Sequence, residues 1–154
     1  MKTILFVCTG NICRSPMAEG LLKKKLIEEG ITNVRVISAG TWAYPNTTST
    51  PEAIQAALEK GVDISGHRAR PLSREIIQEA SLILTMNEDH KWEVVRLVPE
   101  ALEKTFVLTE FSNNTLKKGG VRDPYGGLLE DYRRCLWEIE EELPPVLNWA
   151  RQYA

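Results

Sequence analysis

The chain opens on an unbroken apolar run, Thr3-Ile4-Leu5-Phe6-Val7, followed by a cysteine and a glycine-containing loop. A continuous run this short reads as a strand buried on both faces. Behind it Met17, Leu21, Leu22 and Leu26 recur at three-to-five spacing among Lys23-Lys24-Lys25 and Glu28-Glu29. That pattern predicts an amphipathic helix, opened by Ser15-Pro16, ended by Gly30, with the lysines as its solvated face. Val34-Arg35-Val36-Ile37 reads as a second strand closed by Ser38-Ala39-Gly40. Such a βαβ unit requires a right-handed crossover over a parallel sheet.

The alternation continues down the chain. Residues 41–50, with Pro45, Asn46 and several Thr and Ser, form a loop that carries Trp42 and Tyr44. Residues 51–60 predict a helix with Ala53, Ile54, Ala57 and Leu58 inward and Gly61 as its stop; residues 73–80 predict another. Leu82-Ile83-Leu84 is a third buried strand, ending in Thr85-Met86-Asn87, and residues 89–98 form a helix with His90 and Trp92 at its surface or packing seam. Residues 105–108 supply the fourth strand. The polar stretch 111–122, with Asn113-Asn114 and Gly119-Gly120, predicts a mobile surface loop. A final helix begins near Leu128 with Tyr132, Leu136, Ile139 and Leu143 on one face, and Pro144-Pro145 imposes a break before a last turn with Val146 and Trp149. Strands alternating with helices define a doubly wound α/β sheet, flavodoxin-like in class.

Composition narrows the function without naming it. At 154 residues the chain is most simply one domain, 1–154, able to bury a core without metal or disulfide support. A net charge of −2 gives no general attraction to nucleic acid or anionic membrane, so any anion recognition is local. Three cysteines, no secretory signal and no apolar run of membrane-spanning length predict a cytoplasmic protein with reduced thiols. Cys135, on the last long helix, reads as inert core.

The chemistry concentrates in Cys8-Thr9-Gly10-Asn11-Ile12-Cys13-Arg14-Ser15, where strand gives way to helix. In such a loop successive amides point inward, and the positive end of the helix adds to them, making a cradle for a doubly charged oxyanion. Phosphate is the natural guest. The same field favours the thiolate of Cys8, the nucleophilic form. Arg14 presents a fork that matches two phosphoryl oxygens bidentately. A Cys and an Arg at this spacing are weak evidence alone. Their setting makes them specific: a preceding strand, Gly10 for close backbone approach, Asn11 for a left-handed residue, and Ser-Pro opening a helix. Downstream, Asp123-Pro124-Tyr125-Gly126 supplies a carboxyl group suited to protonate a leaving group.

Together these two motifs, in this order and spacing, closely resemble the low-molecular-weight protein tyrosine phosphatases, of bacterial type, and the resemblance spans the chain. It implies a four-stranded parallel sheet and a hydrolase acting on a phosphoprotein, with inorganic phosphate as product and neither cofactor nor metal. It implies Cys8 as nucleophile, Asp123 as general acid and then base, and Thr9, Gly10, Asn11, Ile12, Cys13 and Arg14 as the phosphate cradle. Ser15, Ser38 and His67 match the residues that brace the loop asparagine, and Ser15 also hydrogen-bonds the sulfur. Ile12, Trp42 and Tyr125 line the substrate crevice. Asn87 stands where many relatives carry aspartate and receives no role.

Phosphotyrosine is the expected substrate class. A bacterial subgroup removes phosphate from arginine instead and shares the Gly126-Gly127 ending, but it typically carries threonine where this chain has Ile12. Cys13, beside the nucleophile, is expected to capture an oxidised Cys8 as a reversible disulfide. Other classes fit less well. Thioredoxin-coupled arsenate reductases need a further downstream cysteine pair, and only Cys135 remains. A phosphoryl-carrier domain needs neither a loop arginine nor a downstream acid, and a silent phosphate-binding module would not need Asp123. The expected state is a monomer or weak homodimer.

Overall fold

The computed structural model describes residues 1–113 and 120–154; part of the polar stretch expected to be a mobile loop therefore lies outside the described residues. Four parallel strands form one sheet in the order β2-β1-β3-β4: β1 (Lys2–Cys8), β2 (Val34–Gly40), β3 (Leu82–Thr85) and β4 (Thr105–Val107). The chain leaves β1 for β2 on one side, then crosses back to β3 on the other. This reversal places the topological switch point at the carboxyl end of β1, where open α/β sheets bind ligands.

Helices cover both faces. On one lie α1 (Arg14–Glu28), α2 (Pro51–Glu59), α6 (Leu129–Glu141) and α7 (Pro144–Arg151), around a core that includes Ile4, Phe6, Met17, Leu22, Leu84 and Leu136. On the other, α3 (Arg74–Glu79) and α4 (Glu88–Leu97) pack on Leu5, Val7, Ile83 and Val94. The split follows from the alternation along β1. Ile4 and Phe6 face one layer, Leu5 and Val7 the other, all fully buried.

Helix ends follow local chemistry. Gly30, at φ 71°, ends α1, with Ile31 N–H bonding back to Leu26 O at 2.9 Å. Thr50, Ser73 and Asn87 cap α2, α3 and α4 with side-chain oxygens. Asp131 accepts from the Leu128 N–H at the start of α6. Helix α6 stops at Glu141, and Pro144 begins α7 at a position where its missing donor costs nothing.

Several expectations need correction. Strand β2 continues through Gly40, because Ser38, Ala39 and Gly40 pair with Phe6, Val7 and Cys8. Helix α2 turns its small face, Ala53, Ala56 and Ala57, inward, and Leu58, expected inside, is 55% exposed. A 3-10 segment (Pro99–Lys104) and a short α5 (Leu108–Phe111) flank β4, neither carrying a pattern long enough to announce itself. His90 is fully inside; only Trp92 of that pair is at the surface.

Candidate active site

The loop from Cys8 to Ser15 forms a bowl because its carbonyls are drawn outward. Those of Cys8 and Thr9 accept from Thr41 and Trp42 N–H, each at 2.9 Å; that of Ile12 accepts from Thr50 N–H, and that of Cys13 from Met17 N–H. His67 Nε2 donates to the Asn11 carbonyl at 2.8 Å. A trans peptide sets each carbonyl antiparallel to the next amide, so the N–H groups of Thr9, Gly10, Ile12, Cys13 and Arg14 point away from these partners.

Asn11 is the keystone of this curvature. It is completely buried with φ 56°, a left-handed conformation that asparagine tolerates better than most residues. Its amide donates to Ser15 Oγ at 2.8 Å and Ser38 Oγ at 2.9 Å, while Oδ1 accepts from Arg70 N–H at 3.0 Å. Ser15 Oγ, which accepts from Asn11, lies 2.9 Å from Cys8 Sγ and has its own proton to give to a thiolate there. Ser38 likewise gives its proton to Glu19 Oε1 at 2.5 Å, and Glu19 is paired with Lys23. Donation thus runs outward from the Asn11 amide, through Ser38 to Glu19 on one side and to Ser15, beside the sulfur, on the other. Ser15, Ser38 and His67, the residues that the resemblance implies around Asn11, each hydrogen-bond to it; Glu19, one turn along α1, was given no reading.

A close backbone approach is required at Gly40. A Cβ there would sit 2.5 Å from Thr9 O and 3.0 Å from Asn11 N, so β2 touches the bowl through a glycine. Gly10 meets only Ile12, at 3.4 Å, and is not crowded by protein atoms.

Arg14 is 3% exposed. Its Nη1 donates to Val121 O at 3.1 Å, and Nη2 lies 3.4 Å from Thr9 Oγ1 and 3.5 Å from Asp123 Oδ2. Asp123 is half exposed, and its Oδ1 accepts from Tyr125 N–H at 3.1 Å, a turn that fixes the carboxylate's aim. Cys8, Thr9, Gly10, Ile12, Cys13, Arg14, Trp42, Asp123 and Tyr125 all line one pocket of about 310 Å³. The aromatic rims are open to solvent: Trp42 is 85% and Tyr125 66% exposed.

Burial raises the pKa of Cys13 and strongly raises that of Cys135. Cys13 Sγ lies 3.7 Å from both Thr50 Oγ1 and Tyr132 Oη. Among the described residues no cluster of three His, Cys, Asp or Glu side chains is gathered to hold a metal ion, and no helix is long and apolar enough to cross a membrane.

Two residues given no catalytic place by the sequence stand behind Thr9. His90 Nε2 is 2.9 Å from Thr9 Oγ1, and its Nδ1 accepts from Asn87 N–H at 3.1 Å while Asn87 Oδ1 accepts from His90 N–H. The signal was the spacing of a capping box, Asn87 with its partner three residues on.

A buried thiol in an amide-lined bowl, at the switch point of a parallel sheet and facing an arginine and a carboxylate, defines a flavodoxin-like α/β protein built for cysteine-based chemistry on an oxyanion. Residues 3–152 match the family described as low molecular weight phosphotyrosine protein phosphatase, and the chain belongs to that family. It is 41% identical over 140 residues to the protein-arginine-phosphatase of Bacillus subtilis (strain 168), covering 91% of each chain. Its fold matches that of the low molecular weight protein tyrosine phosphatase from T. tengcongensis with a TM-score of 0.89 and 37% identity, over 96% of this chain and 99% of that one. It also matches the YwlE arginine phosphatase, solved as a Cys-to-Ser mutant with a phosphorylated active-site serine, with a TM-score of 0.87 and 40% identity, over 97% and 94%.

Proposed function

We propose that the protein hydrolyses phosphotyrosine in phosphoproteins through a phosphocysteine on Cys8. The observation that carries this reading is the convergence on one pocket of the Cys8 thiol, hydrogen-bonded to Ser15, and the Arg14–Asp123 pair. In the first step the Cys8 thiolate attacks phosphorus in line with the phenolic oxygen. The S–P bond forms as the P–O bond breaks, and protonated Asp123 gives its proton to the leaving oxygen. In the second step Asp123, now a carboxylate, takes a proton from water as that water attacks phosphorus. The S–P bond breaks, inorganic phosphate leaves, and the Ser15 hydroxyl meets the charge returning to sulfur. Arg14 and the inward amides of the bowl hold the equatorial oxygens through both displacements, supplying the positive field themselves.

Tyrosine is favoured by the pocket wall. Ile12, Trp42 and Tyr125 offer apolar and aromatic surface to a phenyl ring. Among the described residues Asp123 is the one carboxylate that lines the pocket, so a guanidinium would find no second carboxylate among them. The rival reading, arginine dephosphorylation, is favoured by the 41% identity to a protein-arginine-phosphatase. Comparing kcat/KM for matched phosphotyrosine and phosphoarginine peptides decides between them: phosphotyrosine is expected to lead, and a lead for phosphoarginine reverses the assignment. Hydrolysis of an aryl phosphate is expected to vanish in Cys8→Ala and to slow in Asp123→Ala; unchanged rates in both remove the mechanism.

The same proposal includes a cytoplasmic, reducing setting, in which the three cysteines stay free as they are in the structure. It also includes redox protection of the nucleophile. Peroxide oxidises the Cys8 thiolate to a sulfenic acid, and the Cys13 thiol condenses with it, releasing water and leaving a disulfide that dithiols reduce. Peroxide inactivation that dithiothreitol reverses in the wild type but not in Cys13→Ser is expected. Equal recovery in both proteins rejects it.

A further inference from the structure

Thr9 Oγ1 sits between two donors. Arg14 Nη2 approaches it at 3.4 Å and His90 Nε2 at 2.9 Å. The imidazole's hydrogen is assigned by its other side: Nδ1 receives the Asn87 N–H at 3.1 Å and must be a bare acceptor, so the ring hydrogen is on Nε2 and is given to Thr9. With both lone pairs of its oxygen engaged, the Thr9 hydroxyl is oriented, and its own proton is left to donate into the pocket that Thr9 lines.

We propose that His90 is a positioning residue for phosphoryl binding: acting through Thr9, it holds the Arg14 fork in register and aims the Thr9 hydroxyl at a phosphoryl oxygen. This rests on the phosphatase reading above and adds to it a side-chain donor and a support reaching from a different strand–helix junction. Helix α4 starts just after β3, the neighbour of β1 across the switch point, so its first turn lies behind the bowl. The ring is locked there. His90 is 3% exposed, and its Nδ1 and backbone N–H are both used in the reciprocal cap with Asn87. Burial, with the Arg14 charge nearby, pushes the imidazole pKa down to about 4, so the ring is neutral and keeps its single hydrogen at neutral pH. The Arg14 guanidinium is held on its other side by Val121 O, and on this side Nη2 rests against both Thr9 Oγ1 and Asp123 Oδ2, so Thr9 shares with Asp123 in setting its rotation toward the bowl.

Two substitutions separate this role from helix capping. In His90→Asn the amide oxygen replaces Nδ1 and preserves the cap, but the side chain is too short to reach Thr9. In His90→Gln the amide nitrogen reaches the place of Nε2 and restores the donor. With an aryl phosphate as substrate and inorganic phosphate as competitive inhibitor, His90→Asn is expected to lower kcat/KM and weaken phosphate inhibition by about tenfold, with His90→Gln recovering most of both. Thr9→Val, at a position open to solvent, is expected to reproduce the Asn phenotype, and the double variant Thr9→Val with His90→Asn to be no worse than Thr9→Val alone. Equal losses in Asn and Gln, or losses that multiply in the double variant, overturn the proposal. Should His90→Asn fail to fold, Thr9→Val with His90→Gln decides it, since Thr9→Val at full activity is equally fatal. A wild type without phosphatase activity, or one whose activity survives in Cys8→Ala, instead sinks the underlying reading.

Discussion

Replacing Asn11 with alanine tests the bowl at its most loaded point. The substitution removes three side-chain hydrogen bonds, to Ser15 Oγ, Ser38 Oγ and the Arg70 N–H, all beside a residue with no solvent exposure. At about 1 kcal/mol for each bond the loss is about 3 kcal/mol. Alanine must also hold φ 56°, which adds about 1 kcal/mol. The total, about 4 kcal/mol, is a large share of the roughly 5–15 kcal/mol that keeps a domain folded. Glycine at the same position loses the same bonds but not the backbone penalty, and is expected to be the more stable variant by about 1 kcal/mol. Urea unfolding followed by tryptophan fluorescence measures both, and phosphate binding is expected to weaken along with stability. An alanine variant destabilised by less than about 1 kcal/mol, or a glycine variant no more stable than it, refutes the reasoning.

Acid stability carries a second signature. His90 titrates at about 4 in the folded protein against 6.5 for the free side chain, so between those values the unfolded chain binds the extra proton. Its contribution is therefore complete above pH 6.5 and lost as pH falls through 4, about 3 kcal/mol in all. Urea titrations at pH 7 and pH 4 are expected to show a steeper loss for the wild type than for His90→Gln; parallel losses contradict the assignment. Gly40→Ala forces a Cβ to 2.5 Å from Thr9 O and is expected to cost about 1–3 kcal/mol while depressing kcat/KM. A variant with wild-type Tm and turnover shows that the contact between β2 and the bowl is slack.

The sequence carried most of this architecture where the signal was local. The apolar run at residues 3–7, the βαβ unit and the break at Pro144-Pro145 need only neighbouring residues to be read, and the structure repeats them. The bracing of Asn11 by Ser15, Ser38 and His67 came from resemblance, and the distances agree with it. What escaped depended on contacts distant in the chain. His90 meets Thr9 across 81 positions, and Arg14 meets Val121 across 107. No periodicity along α4 indicates that its first turn abuts another strand's loop, so a histidine there looks like any seam residue. Leu58 was assigned inward by spacing, yet the narrow contact that α2 makes is filled by three alanines. Glu19 received no reading from the sequence because its partner, Ser38, lies within β2, 19 residues away.

The most direct test is capture of the phosphoryl group on sulfur. Incubating the protein with a 32P-labelled aryl phosphate and quenching rapidly in acid is expected to leave label on the peptide containing Cys8, with none on Cys8→Ala. Turnover that proceeds normally while no label reaches that peptide, at the earliest quench times and in Asp123→Ala alike, contradicts the account at its centre.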